Sequence, residues 1–134
     1  MLLRSLAAYA AAALTLCLLD GLWLGVVARG LYRSQLGHLM LDSPRWGAAA
    51  AFYAFYLVGV VLFGVWPGLR AGSWLQAALW GGLFGFFAYM TYDMTNLATL
   101  KGWPSGLAAI DVAWGTVLTA LAASAGYAAA SRVN

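Results

Sequence analysis

Charge is missing from three long stretches of this chain of 134 residues, and that absence limits the fold more than any motif does. Between Arg45 and Arg70 lie 24 residues without Asp, Glu, Lys or Arg; between Arg70 and Asp93 lie 22, and between Asp111 and Arg132 lie 20. An α-helix rises about 1.5 Å per residue, so about 20 apolar residues cross a hydrocarbon layer about 30 Å thick. Three such runs cannot all be core helices of one small water-soluble domain. Charged residues make up 8% of the sequence, against about 25% in soluble domains. The runs are therefore read as membrane spans.

A fourth span lies at the start. Its charge-free run from Ser5 to Leu19 is interrupted by Asp20, but apolar character resumes through Trp23, Leu24, Val26 and Val27. Arg4 before an apolar stretch has the look of a secretory leader. An acid inside the stretch and the lack of a small-residue cleavage site argue for an uncleaved first helix instead. The expected spans are about 6–28, 45–66, 73–98 and 105–130, in a single transmembrane domain covering 1–134. Pro44 and Pro104 stand where helices begin, since a missing N–H is harmless in a first turn, and Pro67 with Gly68 is expected to end the second helix. Asp42 and Ser43 are expected to cap the second helix. Trp46 and Trp66, about 30 Å apart along an ideal helix, fit the two aromatic belts of a bilayer, and Trp74 and Trp103 mark two further entries.

The longest connection, Arg29 to Arg45, carries Tyr32, Leu36, Leu39 and Met40 at helical spacing. It predicts a short helix lying in the interface plane, with Arg29, Arg33 and the only histidine, His38, facing headgroups. The fold class is thus all-α, an integral membrane four-helix bundle with a short interfacial helix between helices 1 and 2. Orientation is not set by charge. Arg4, Arg70, Arg132 and the amino terminus stand on one side, and Arg29, Arg33, Arg45 and Lys101 on the other. With no basic stripe, nucleic acid is not a partner of a chain like this. The single cysteine, Cys17, sits mid-span, rules out an internal disulfide and is read as a small packing residue.

The chemistry lies in the acids. There is no glutamate, and three of the four aspartates, Asp20, Asp93 and Asp111, fall inside spans. A carboxylate there costs at least about 2.5–3.5 kcal/mol on insertion scales unless it is neutral, paired or hydrated. Four alternating helices bring all three to one side, Asp20 about 12 Å deep and Asp93 and Asp111 about 7–8 Å. On helix 3, Gly82, Gly85, Tyr89, Asp93 and Asn96 share one face; on helix 4, Asp111 shares a face with Trp114, Gly115, Leu118 and Ala122. Helix 1 sets Tyr9, Leu16, Trp23 and Leu24 beside Asp20. Asp20 and Asp111 are each followed by tryptophan three residues on, in DGLWLG and DVAWG, and a tryptophan one turn away offers an N–H and an apolar wall.

The strings LLDGLWLG, LYRSQLGHLM, FFAYMTYDMTNLATLKGWP and DVAWGTVL resemble, in order and spacing over nearly the whole chain, the bacterial predicted-membrane-protein family known as domain of unknown function 2177. The polar positions of that pattern, Asp20, Trp23, Tyr92, Asp93, Asn96, Lys101, Trp103, Asp111 and Trp114, are all present. The resemblance implies four helices in a bacterial membrane, here expected to be the inner membrane, and carries no activity with it.

Three readings of the acids follow. In the first, they are helix glue, Asp93 paired with Lys101 and Asp20 with Arg29, at about 0.6 kcal/mol for an average polar contact between membrane helices. In the second, they form a pocket that binds, and through acid–base chemistry modifies, a lipid or apolar small molecule. Asp93 and Asp111 are then the proton-transfer pair, with Asp20 a third acid. Trp23, Tyr89, Tyr92 and Trp114 line the site, while Asn96 and Lys101 orient an oxygen or acidic headgroup. In the third, they relay protons or cations in transport, although transporter sites sit nearer the midplane. The G-x-x-x-G pairs Gly21/Gly25 and Gly81/Gly85 suit close helix contacts, including those of a homo-oligomer or a partner subunit. No acid spacing within one helix suits a metal, and no nucleotide, haem or zinc string is present, so no cofactor is identified.

Overall fold

The computed structural model describes residues 1–134, and every regular element is a helix. Helix α1 spans Leu2–Val27, its last part, Trp23–Val27, wound as a π-helix. The short α2, Arg29–Leu36, follows and runs into a 3₁₀ turn, Gly37–Leu39. Helix α3 spans Trp46–Ala71, α4 Trp74–Thr99 and α5 Ser105–Ala130. Three of these, α1, α3 and α5, are long and apolar enough to cross a membrane. Helix α4 has the same 26 residues as α5 but falls short in apolarity. It contains Asp93, Asn96 and Gln76, together with glycines, threonines and tyrosines that hydropathy scales rate low. Large side chains such as Leu14, Leu18, Phe55, Phe63, Leu79, Phe87 and Val117 point outward and are exposed. An apolar exterior on that scale belongs to a protein whose surroundings are lipid.

Three boundaries differ from the expected ones, each for a local reason. Pro67 does not end α3. The helix widens into a π stretch over Val60–Val65 before it, and the chain continues helically to Ala71. The wider turn relieves the clash between a proline ring and the carbonyl four residues earlier. Termination comes at Gly72, whose φ of 61° is left-handed, and Ser73 then caps α4 by accepting from the Gln76 N–H at 3.4 Å. Asp42 and Ser43 do not cap α3, whose N-cap is Arg45 without a side-chain hydrogen bond. Cys17 is exposed on the outer face of α1 rather than packed.

Small residues set the packing. Helix α5 is the centre of the bundle, with Leu107, Leu118, Thr119, Ala122 and Ala123 fully or almost fully buried. Gly81 and Gly85 of α4 lie so close to α5 that an added methyl group at either would collide with Ala123, Thr119 or the Gly115 carbonyl. Both glycines are thus used within the chain, whereas Gly21 and Gly25 face open space. Gly64 of α3 meets Gly81, and Gly68 meets Ala77. On α1, Ala8, Ala12, Leu16 and Asp20 recur at every fourth position and are all buried. That stripe carries an aspartate into the end of the bundle where α1 and α4 finish and α3 and α5 begin.

Candidate functional site

The Asp20 carboxyl is satisfied by two other helices. Its Oδ2 accepts from the Tyr53 hydroxyl of α3, and its Oδ1 accepts from the Trp114 indole N–H of α5 at 3.1 Å. Asp111, one turn before Trp114, accepts at Oδ1 from the Tyr32 hydroxyl at 2.5 Å, and the Tyr32 oxygen in turn accepts from the Trp23 N–H at 3.4 Å. The rings of Trp23 and Trp114 stack 4.5 Å apart with 9° between their planes. The two D-x-x-W strings therefore interlock: each aspartate is followed by a tryptophan, the tryptophans stack, and Trp114 serves Asp20 while Trp23 reaches Asp111 through Tyr32. The π turn beginning at Trp23 is a feature often found at functional sites.

Asp93 completes the cluster from α4. It is 1% exposed, its Oδ2 has no hydrogen-bond partner, and its carboxyl group lies beside that of Asp111. One turn of helix nearer the bundle centre, Tyr89 covers Gly115, a position where any Cβ would meet the phenol ring. Tyr92 stands edge-on to Trp103 at 5.7 Å. Deeper still, Tyr56 and Thr119 hydrogen-bond at 2.7 Å. Tyr32 is the one titratable residue of the cluster on α2, outside the long helices. Burial first, and then its bond to Asp111, push its phenol above the ordinary value near 10, so it remains a donor at neutral pH.

A partly open cavity of about 430 Å³ lies at this cluster, within the range of small-molecule sites. Asp20 and Asp111 supply its polar edges, and Tyr32, Phe52, Tyr53, Tyr89 and Tyr92 its aromatic walls, with Leu24 and Ala88 between them. No lysine, arginine or histidine lines it. The expected pairs are not formed. Asp20 is bound by Tyr53 and Trp114, not by Arg29; the free Asp93 oxygen excludes a bidentate pair with Lys101, and Arg29 and Lys101 are both exposed. Asn96 is half-buried and hydrogen-bonds none of the acids.

Of the residues expected from sequence, Asp20, Tyr89, Tyr92 and Asp111 line the cavity, and Trp23, Asp93 and Trp114 back its wall. Lys101 and Asn96 stay outside it. Tyr53, Phe52, Ala88 and Tyr32 are lining residues to which the sequence assigns no place in a pocket. Tyr53 sits in FYAFY, where two hydroxyls inside a span need partners, and that requirement was the available signal. Tyr32 belongs to the helically spaced set Tyr32, Leu36, Leu39 and Met40 of the expected interfacial helix, and its hydroxyl turns inward to Asp111. Leu36 is buried, while Leu39 and Met40 are exposed.

The model of a family described as predicted membrane protein (DUF2177) matches residues 5–128. The chain belongs to that family. No curated protein and no solved structure matches it. The family match spans every element that builds the cavity, from Asp20 in α1 to Trp114 in α5, so the site is part of the DUF2177 domain itself rather than of an appended segment.

Proposed function

We propose that this DUF2177 protein is a multi-pass protein of the bacterial inner membrane that binds an apolar small molecule or lipid in the cavity between its helices. In this reading α4 is a fourth crossing. Its length equals that of its neighbours, and Thr91, Thr95 and Thr99 satisfy their exposed hydroxyls on carbonyls four residues back, as threonines in lipid do. Helix α2 lies along the interface and roofs the cavity through Tyr32. The observation that carries the proposal is the cavity of about 430 Å³, edged by two inward carboxyl groups and walled by aromatic rings.

The cluster suits acid–base chemistry on such a ligand. Asp93 and Asp111 bring two carboxyl groups next to each other at the cavity's edge, the residue type and placement that general acid–base chemistry uses. Asp111 lines the cavity and Asp93 does not, so Asp111 is the acid a ligand would meet, with Asp93 as its supporting partner. Transport gains less support, since the glycine-tight packing of Gly64, Gly81 and Ala123 closes the far half of the bundle. Gly21 and Gly25, open on the outer face of α1, are the better seam for a homo-oligomer.

Native mass spectrometry of the protein released from lipid tests the proposal. The wild type is expected to retain a small apolar species, and Ala88→Trp, which fills the cavity, to lose it while staying folded. Asp111→Ala is expected to weaken retention as well. Equal retention by wild type and Ala88→Trp, or none by either, overturns the pocket.

A further inference from the structure

The sign of the cavity narrows its ligand, on the premise that the cavity is a binding site. Every ionisable group on its wall is a carboxyl or a phenol. The donors that serve the two lining acids are neutral: Tyr53 and Trp114 for Asp20, Tyr32 for Asp111. Hydrogen bonds from neutral groups stabilise a negative charge without cancelling it, and the four bases at this end of the bundle, Arg29, Arg33, Arg45 and Lys101, are all exposed rather than turned inward. In a low-dielectric bundle such a site repels anions and attracts cations. The phenol and benzyl rings of Tyr53, Tyr89, Tyr92 and Phe52 add faces that are electronegative at their centres, the surface that organic cations prefer.

We propose that the ligand is an organic cation with an apolar body, a lipophilic amine or quaternary ammonium compound, its charged centre held between Asp20 and Asp111 among the tyrosine rings. Its hydrocarbon part lies against Phe52 and Leu24, lining residues that are also exposed on the outside of the bundle. The charge completes what the fold leaves open: two inward acids with no basic partner. An acidic lipid headgroup, which Lys101 was expected to orient, does not suit this lining.

Binding of two probes matched in shape and opposite in charge, tetraphenylphosphonium and tetraphenylborate, tests the assignment. Both are titrated into the purified full-length protein in nanodiscs of neutral lipid, and saturable binding is read from tryptophan fluorescence, since Trp23 and Trp114 adjoin the site. The expected result is saturable binding of the cation alone, weakened at least tenfold in Asp20→Asn and in Asp111→Asn. Each variant is first checked for a monodisperse, helical state, and the second serves if the first does not fold. Saturable binding of tetraphenylborate that Ala88→Trp blocks and both asparagine variants keep overturns the cation assignment while leaving the pocket standing. Saturable binding of neither probe overturns the assignment together with the pocket on which it rests.

Discussion

Trp114 donates its indole N–H to Asp20 across 94 positions of sequence, at 3.1 Å, while its ring stacks on Trp23, three residues after that same aspartate. One side chain thus fixes α5 to α1 by a polar and an aromatic contact at once. Replacing Trp114 by Phe keeps much of the ring and removes the N–H, and is expected to cost about 1–2 kcal/mol. Adding Tyr53→Phe takes the second donor from Asp20. The double variant should lose more than the two single losses together, because only then is a buried carboxyl left bare. Unfolding of the four species in mixed micelles measures the coupling; strict additivity would contradict it.

Asp93 is the opposite case. Its Oδ2 has no partner and its neighbour is another carboxyl. Asp93→Asn keeps the shape and offers Asp111 a permanent N–H donor. It should raise stability by about 0.5–1 kcal/mol, whereas Asp20→Asn should lower it. The same unfolding assay separates them, and a loss on Asp93→Asn would mean that the acid has a partner of its own.

Tyr32 makes the only side-chain hydrogen bonds that fasten α2 to the bundle, to Asp111 and from Trp23. Tyr32→Phe should leave the long helices intact and speed amide exchange across Arg29–Leu36 by about tenfold, the loss of about 1.4 kcal/mol. That figure lies at the upper end of a typical hydrogen bond. Because the folded phenol titrates above its ordinary value near 10, the contact is fully present below pH 10 and is lost as pH rises beyond it. Exchange of α2 should therefore show no Tyr32-dependent change in protection between pH 6 and 9. Loosening of α2 in the neutral range, in wild type but not in Tyr32→Phe, would contradict this.

Glycines with different neighbours should respond differently. An added methyl group at Gly85 meets the Gly115 carbonyl and Thr119, so Gly85→Ala is expected to cost about 1–3 kcal/mol and to push α4 from α5. Gly21→Ala meets nothing within 4 Å and should be neutral in a monomer. A dimer seam at Gly21/Gly25 would show itself as a loss of dimer in that variant, read by cross-linking in the membrane.

What could be read in the sequence is what violates the bilayer. Asp20, Asp93 and Asp111 stand out because a carboxyl inside an apolar run is costly, and the turn of α-helix between each D-x-x-W aspartate and its tryptophan is local geometry. Tyr53 and Tyr32 carry no such cost on their face. A tyrosine is at home in a span or at an interface, and its partner lies 33 or 79 residues away, beyond any periodicity. Pro67 misleads for a related reason. A proline signals a helix end only when the turn before it is regular, and the π stretch over Val60–Val65 is not written in residue types. Helix α4 reads as a span by its lack of charge, and falls short by apolarity because Gln76, Asn96 and its glycines and threonines add to the site residues Tyr89, Tyr92 and Asp93.

An experimental density map of the protein in lipid bears on the central claim most directly. The account predicts Asp20 and Asp111 facing one cavity, with density for a compact molecule between them, bounded by Tyr53 and Tyr89. A bundle in which those two carboxyl groups look into different surroundings, with the tyrosine rings closed together between them, would contradict it.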